Sequence, residues 1–187
     1  ANNFEIVNSN PVYEALGAGL VGYASTLFEV NNSIIGADSD DLFNISTYVH
    51  ESSATISNTS YTGGGIGLYI FDGSLDADGN TFMGQSNYNL FINSNTSGTN
   101  EHNLSNNTFI GTDPDAVDPT SPVSIYSSYG GDISSDGDTF QDVTASYAFY
   151  ISGGSTEIEN ANFDNTTGYA IYANGGDHDI SDSNFNS

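Results

Sequence analysis

The chain has 187 residues, with 24 Asp and Glu against no Lys, no Arg and no Cys, and a formal net charge of −24 at pH 7. Contacts with nucleic acid or an anionic membrane need basic side chains, so the composition argues against both partners, and disulfides and thiolate metal sites are excluded outright. A content of 36% apolar residues with 11 Phe and 12 Tyr suffices for a core, which sets the chain apart from a disordered polyanion and predicts one continuous domain over 1–187.

In chain order, "FEIVNSN" (4–10) recurs as "FEVNNS" (28–33), and a start "ANNFEIV" without Met fits a processed, exported protein. The acidic stretch "GADSDD" (36–41) precedes Tyr61 and an alternating segment, Ile66-x-Leu68-x-Ile70, which reads as a strand with one apolar face. "DGSLDADGN" (72–80) then leads into Phe82 and a second alternating strand, Tyr88-x-Leu90-x-Ile92. The stretch "NSNTSGTNEHN" (93–103) and, after Phe109, "IGTDPDAVDPTSP" (110–122) break the spacing and are expected as lateral loops. Beyond them the pattern tightens: Val123-x-Ile125, Tyr147-x-Phe149-x-Ile151 and Tyr169-x-Ile171-x-Ala173 each precede a Gly-Gly pair and a third short strand, in "DISSDGDTF" (132–140), "EIENANF" (157–163) and "DISDSNF" (179–185). Ile133, Ile158 and Ile180 are expected to point inward there.

These segments align on Phe82, Phe109, Phe140, Phe163 and Phe185, with Tyr61 as an earlier member, and the last two steps (140 to 163, 163 to 185) are 23 and 22 residues. A recurring period in this range marks a solenoid. The repeat of short strands with Asn, Asp and Gly corners resembles the right-handed parallel β-helix proteins of the pectin-lyase-like superfamily, a resemblance of repeat pattern over most of the chain and of no catalytic signature. It implies an all-β parallel β-helix of roughly seven or eight coils, a rod roughly 35 Å long. A β-sandwich of short antiparallel strands is the alternative.

If Leu68, Leu90, Ile125, Phe149 and Ile171 face inward, their successors Tyr69, Phe91, Tyr126, Tyr150 and Tyr172 face outward as an aromatic ladder, an interface for another subunit or for sugar rings, or a brace for the sheet. The triplet Asp76-x-Asp78-x-Asn80 spaces oxygen ligands as the opening of a calcium loop does, though Thr81 stands where an EF-hand has Gly; Ca²⁺ is the one ion this spacing suggests, and no cofactor is required. A solvated acidic face explains the same residues. His178, between Asp177 and Asp179, has no nucleophile elbow, metal-binding His pair or phosphate loop to accompany it, so no catalytic residue is assigned.

The family resemblance implies polysaccharide chemistry, but lyases of that fold use Arg or Lys, and none is present. Inverting glycoside hydrolases need only paired carboxylates about 6.5–9.5 Å apart and remain a minor reading. The leading expectation is an extracellular, non-enzymatic structural protein that assembles with copies of itself into a cell-surface filament, sheath or layer by end stacking and lateral contacts. The alternative is an adhesin or glycan-binding rod, with neutral glycans or divalent cations as partners.

Overall fold

The computed structural model describes residues 5–8, 18–37, 45–94, 100–111, 123–128, 131–143 and 147–186. Every described element is a strand, and the strands form three parallel sheets of eight, seven and seven members. The first sheet stacks Glu5–Asn8, Ile34–Ala37, Ser60–Thr62, Thr81–Met83, Thr108–Ile110, Thr139–Gln141, Asn162–Asp164 and Asn184–Asn186. The second stacks Ala18–Tyr23, Ile45–His50, Ile66–Phe71, Tyr88–Asn93, Val123–Ser128, Tyr147–Ser152 and Tyr169–Asn174. The third stacks Phe28–Asn31, Ser53–Ser57, Ser74–Asp78, Glu101–Ser105, Asp132–Asp136, Thr156–Glu159 and His178–Ser181. The chain visits the three sheets in strict rotation, one strand of each per coil, and makes about six turns from the first strand to the last of the second sheet. Parallel pairing between strands one coil apart rules out the sandwich and establishes a β-solenoid. Of the two stretches expected as lateral loops, 93–103 and 110–122, residues 95–99 and 112–122 lie outside the described residues, while Asn93 ends a strand of the second sheet and Glu101–Asn103 belong to one of the third.

The aromatic column is the spine of the first sheet. Tyr61 pairs with Phe82, Phe82 with Phe109, Phe109 with Phe140, Phe140 with Phe163 and Phe163 with Phe185. Their rings stack at 4.7, 5.1, 5.1, 4.6 and 4.9 Å between centroids, with planes no more than 15° apart. Opposite them, Leu68, Leu90, Ile125 and Phe149 of the second sheet and Leu75, Leu104, Ile133 and Ile158 of the third close the core. Ile133 and Ile158 are buried as expected, whereas Ile180, on the last described strand of the third sheet, is 44% exposed.

Each turn into the first sheet follows one formula. The residue after the third-sheet strand adopts positive φ, between 47° and 70°, and is Asn32, Asn58, Gly79, Asn106, Gly137, Asn160 or Asp182. These residue types visit the left-handed region at least cost. The next side chain then points inward, the one after that outward, and the fourth is the column aromatic or Ile35.

One expectation fails in the second sheet. Ile66, Tyr88, Tyr147 and Tyr169 alternate in sequence with core residues, yet none of them is buried. The second position of the strand (Ser46, Gly67, Asn89, Ser124, Ala148) is buried together with the third, so two successive residues face inward and strict alternation starts only afterwards. Small residues make this possible: a Cβ on Gly67 would lie 2.7 Å from Asn89 O and 3.0 Å from Phe82 Cδ1.

Candidate interaction surfaces

The five ladder residues do form one column on the outer face of the second sheet. Tyr69 pairs with Phe91, Phe91 with Tyr126, Tyr126 with Tyr150 and Tyr150 with Tyr172. Tyr48 extends the column one coil below Tyr69, at 5.1 Å between centroids. Adjacent rings from Tyr69 to Tyr172 lie 4.6, 5.2, 4.8 and 5.1 Å apart. The displaced residues of the second sheet add a second row: Tyr88 packs on Phe91 and Tyr126, and Tyr147 on Tyr150, Tyr169 and Tyr172. Burial by these neighbours lifts the Tyr48 and Tyr88 phenols above their usual value, helped at Tyr48 by nearby Tyr69, Tyr23 and Asp72.

The ladder is half-buried rather than fully exposed, and ring orientation explains why. Tyr126 and Tyr150 are parallel within 1°, Tyr150 and Tyr172 within 14°, and Tyr69 and Phe91 within 15°. In these pairs the ring faces meet along the rod axis, whereas Phe91 and Tyr126 meet edge to face at 73°. In the last described coil Tyr169 is 64%, Tyr172 38% and Phe185 54% exposed.

The calcium triplet does not assemble. Asp76 and Asp78 stand on the outer face of the strand Ser74–Asp78, while Gly79, at φ 65°, turns the chain so that Asn80 points into the core. Asn80 Oδ1 accepts the Thr59 N–H at 2.9 Å. Asp78 Oδ1 accepts from Ser105 Oγ at 2.8 Å and Asn106 Nδ2 at 3.2 Å, and these bonds hold its carboxyl below the usual range. A strand followed by a corner alternates its side chains between two faces, which is the opposite of the convergence a calcium loop needs.

Carboxylates gather instead on the third sheet, where a groove of about 580 Å³ is lined by Glu101, Asp132, Glu157, Asp177, His178 and Asp179 among others. Glu101 pairs with Asp132 and Glu157 with Asp179 across adjacent strands. His178 Nε2 lies 2.6 Å from the Gly175 carbonyl, so its hydrogen bond goes to the backbone rather than to a flanking Asp. Among the described residues, no three His, Asp or Glu side chains are grouped so as to hold a metal.

Two buried polar features had weaker signals in the sequence. His102 occupies the core column between Leu75 and Ile133, has no hydrogen-bond partner on either ring nitrogen among the described residues, and is pushed down to about 4 by burial, against a smaller pull from Asp132. The other is a polar ladder of Asn80, Asn107 and Asp138 at the corner before the first sheet. Asn80 Nδ2 donates to Ile56 O at 2.9 Å and to Asn107 Oδ1 at 2.9 Å, and Asn107 Nδ2 donates to Ala77 O at 3.0 Å. Asn80 and Asn107 are thus structural, and the recurring "N-T-F" and "D-T-F" triplets mark this ladder in the sequence.

No protein family, curated protein or solved structure matches the chain.

Proposed function

We propose that the protein is a structural rod of an extracellular or cell-surface assembly, in which copies of the solenoid stack end to end and gather laterally into a filament, sheath or layer. The observation that carries this reading is the aromatic column of Tyr48, Tyr69, Phe91, Tyr126, Tyr150 and Tyr172 on the outer face of the second sheet, one ring per coil, flanked by Tyr88, Tyr147 and Tyr169. A continuous aromatic stripe of this length is a surface for a second copy, and a contact between copies that does not close extends into a filament. The reading contains no catalytic step.

Electron microscopy and light scattering of the native chain test it, with NaCl added to screen the net charge of −24. Fibres or sheets that are lost in a variant carrying Tyr69→Ser and Tyr150→Ser are the expected result. A rod that stays monomeric at high concentration in salt overturns it. The groove on the third sheet favours a second reading, an adhesin or glycan-binding rod. A neutral glycan in such a groove would hydrogen-bond to Asn103, Ser134 and the carboxylates, and a glycan-array signal lost in Asp132→Ala separates this reading from assembly.

A further inference from the structure

We propose that the outer aromatic ladder is a site of oxidative tyrosine coupling, where one-electron oxidation joins Tyr150 to Tyr126 or Tyr172, and Tyr147 to Tyr169, as dityrosine bridges between successive coils. This stands apart from the assembly reading and needs only a single rod.

Composition directs the oxidation. The chain has 12 Tyr, no Cys, no Trp and one Met, so a one-electron oxidant meets few side chains other than phenols, and without Cys or Lys no disulfide or amine cross-link competes. Geometry selects the pairs. Tyr126 with Tyr150, Tyr150 with Tyr172 and Tyr147 with Tyr169 are direct partners across adjacent parallel strands. Their centroids lie 4.8, 5.1 and 5.5 Å apart and their planes within 1°, 14° and 17°. Each pair stacks nearly parallel, and all five side chains are half-buried or exposed, so an oxidant reaches them. Elsewhere the pattern is broken. Phe91 separates Tyr69 from Tyr126, Tyr48 and Tyr69 are tilted by 54°, and Tyr61 is buried against Phe82.

The reaction balances with hydrogen peroxide and a haem peroxidase as oxidant. Each phenol gives up one electron and its hydroxyl proton, and the two phenoxyl radicals form a carbon–carbon bond between ortho positions. The two ring hydrogens at that bond then move to the oxygens and restore both phenols. Peroxide takes the two electrons and two protons and leaves as two waters.

The experiment treats the full native chain with peroxidase and limiting peroxide, then reads dityrosine fluorescence, intact mass and a peptide map from a protease that cuts at acidic residues. The expected product is a monomer lighter by two hydrogens per bridge, with bridges mapped to the named pairs and a higher Tm than the unoxidised chain. A variant carrying Tyr126→Phe, Tyr169→Phe and Tyr172→Phe keeps every ring but one phenol of each pair, and should lose about ten-fold or more of the bridge yield, since proximity sets the coupling rate. Yields within about two-fold of the parent overturn the proposal. So do bridges that map mainly to other tyrosines or between molecules, or an equal yield from the urea-unfolded chain.

Discussion

The Asn107 side-chain amide donates to Asp138 Oδ1 at 3.0 Å, and the Asn107 backbone N–H reaches the same oxygen at 2.7 Å. One coil earlier, Asn80 makes the same two bonds to Asn107 Oδ1, at 2.9 and 3.0 Å. A carboxylate therefore stands where the ladder would accept a third carboxamide. It is fully buried, and burial pushes its carboxyl up to about 6 despite hydrogen bonds from Ser135 and Asn107.

Asp138→Asn should stabilise the protein at neutral pH. A raised folded-state value means that the contribution of Asp138 is complete below the unfolded value near 4 and is lost as the pH rises through about 6. That loss is on the order of 2–3 kcal/mol at most. The Asn variant keeps the acceptor, has a donor for the Leu104 carbonyl in the manner of Asn107, and has nothing to titrate. Urea denaturation at pH 4 and pH 7.5 checks this. The parent should lose more stability than the variant between the two, and equal losses would refute the assignment.

Phe140→Ala should be among the most damaging single changes. Phe140 is fully buried between Phe109 and Phe163, with Phe149 6.1 Å away, so truncation opens a cavity that rigid strand register keeps from collapsing. A cost of about 3–5 kcal/mol is expected in chemical denaturation, and Phe140→Leu should recover more than half of it.

Gly154 and Gly175 both adopt positive φ, at 83° and 78°, but differ in their surroundings. A Cβ on Gly154 would run into the Gly131 carbonyl, whereas one on Gly175 meets nothing within 4 Å. Gly175→Ala should then cost only the left-handed backbone penalty, about 1 kcal/mol, and Gly154→Ala clearly more. Similar Tm losses for the two would count against this corner geometry.

Thermal stability should rise with ionic strength, because Glu157 faces Asp179 and Glu101 faces Asp132 with no basic residue to offset them. Asp179→Asn should raise Tm in low salt, and the gain should vanish near 1 M NaCl, where the screening length is about 3 Å. Calcium compared with NaCl at matched ionic strength separates bound Ca²⁺ from screening. A Tm independent of salt would contradict the pairing.

The spine and the strand rotation were legible because their signals are local and repeated: a large aromatic every coil, and apolar residues at alternate positions. Tyr61 could be placed with Phe82 on spacing alone, and it stacks there within 3°. The aromatic row of Tyr88, Tyr147 and Tyr169 was misassigned because periodicity gives alternation but not the point where it starts. Only the residues beside them, the buried Asn89 and Ala148 and the partly buried Ala170, reveal the shift. Asp76, Asp78 and Asn80 misled for a related reason, since the same spacing describes ligands around a loop and side chains on two faces of a strand. Asp138 could not be told from the solvated acids by type, and its place in the triplet before Phe140 was the single clue.

The parallel stacking of short coils also fixes how much charge the protein carries per unit length. Seven layers at roughly 4.8 Å make a cylinder about 34 Å tall. The 17 Asp and Glu among the described residues then amount to one elementary charge per roughly 2 Å, close to the roughly 1.7 Å of duplex DNA. At that linear charge density cations condense onto the surface, and the rod migrates and sediments with far less than its formal charge. A second surface that approaches the rod meets this cation layer first, and the entropy of the ions set free on contact becomes part of the driving force for whatever the rod binds.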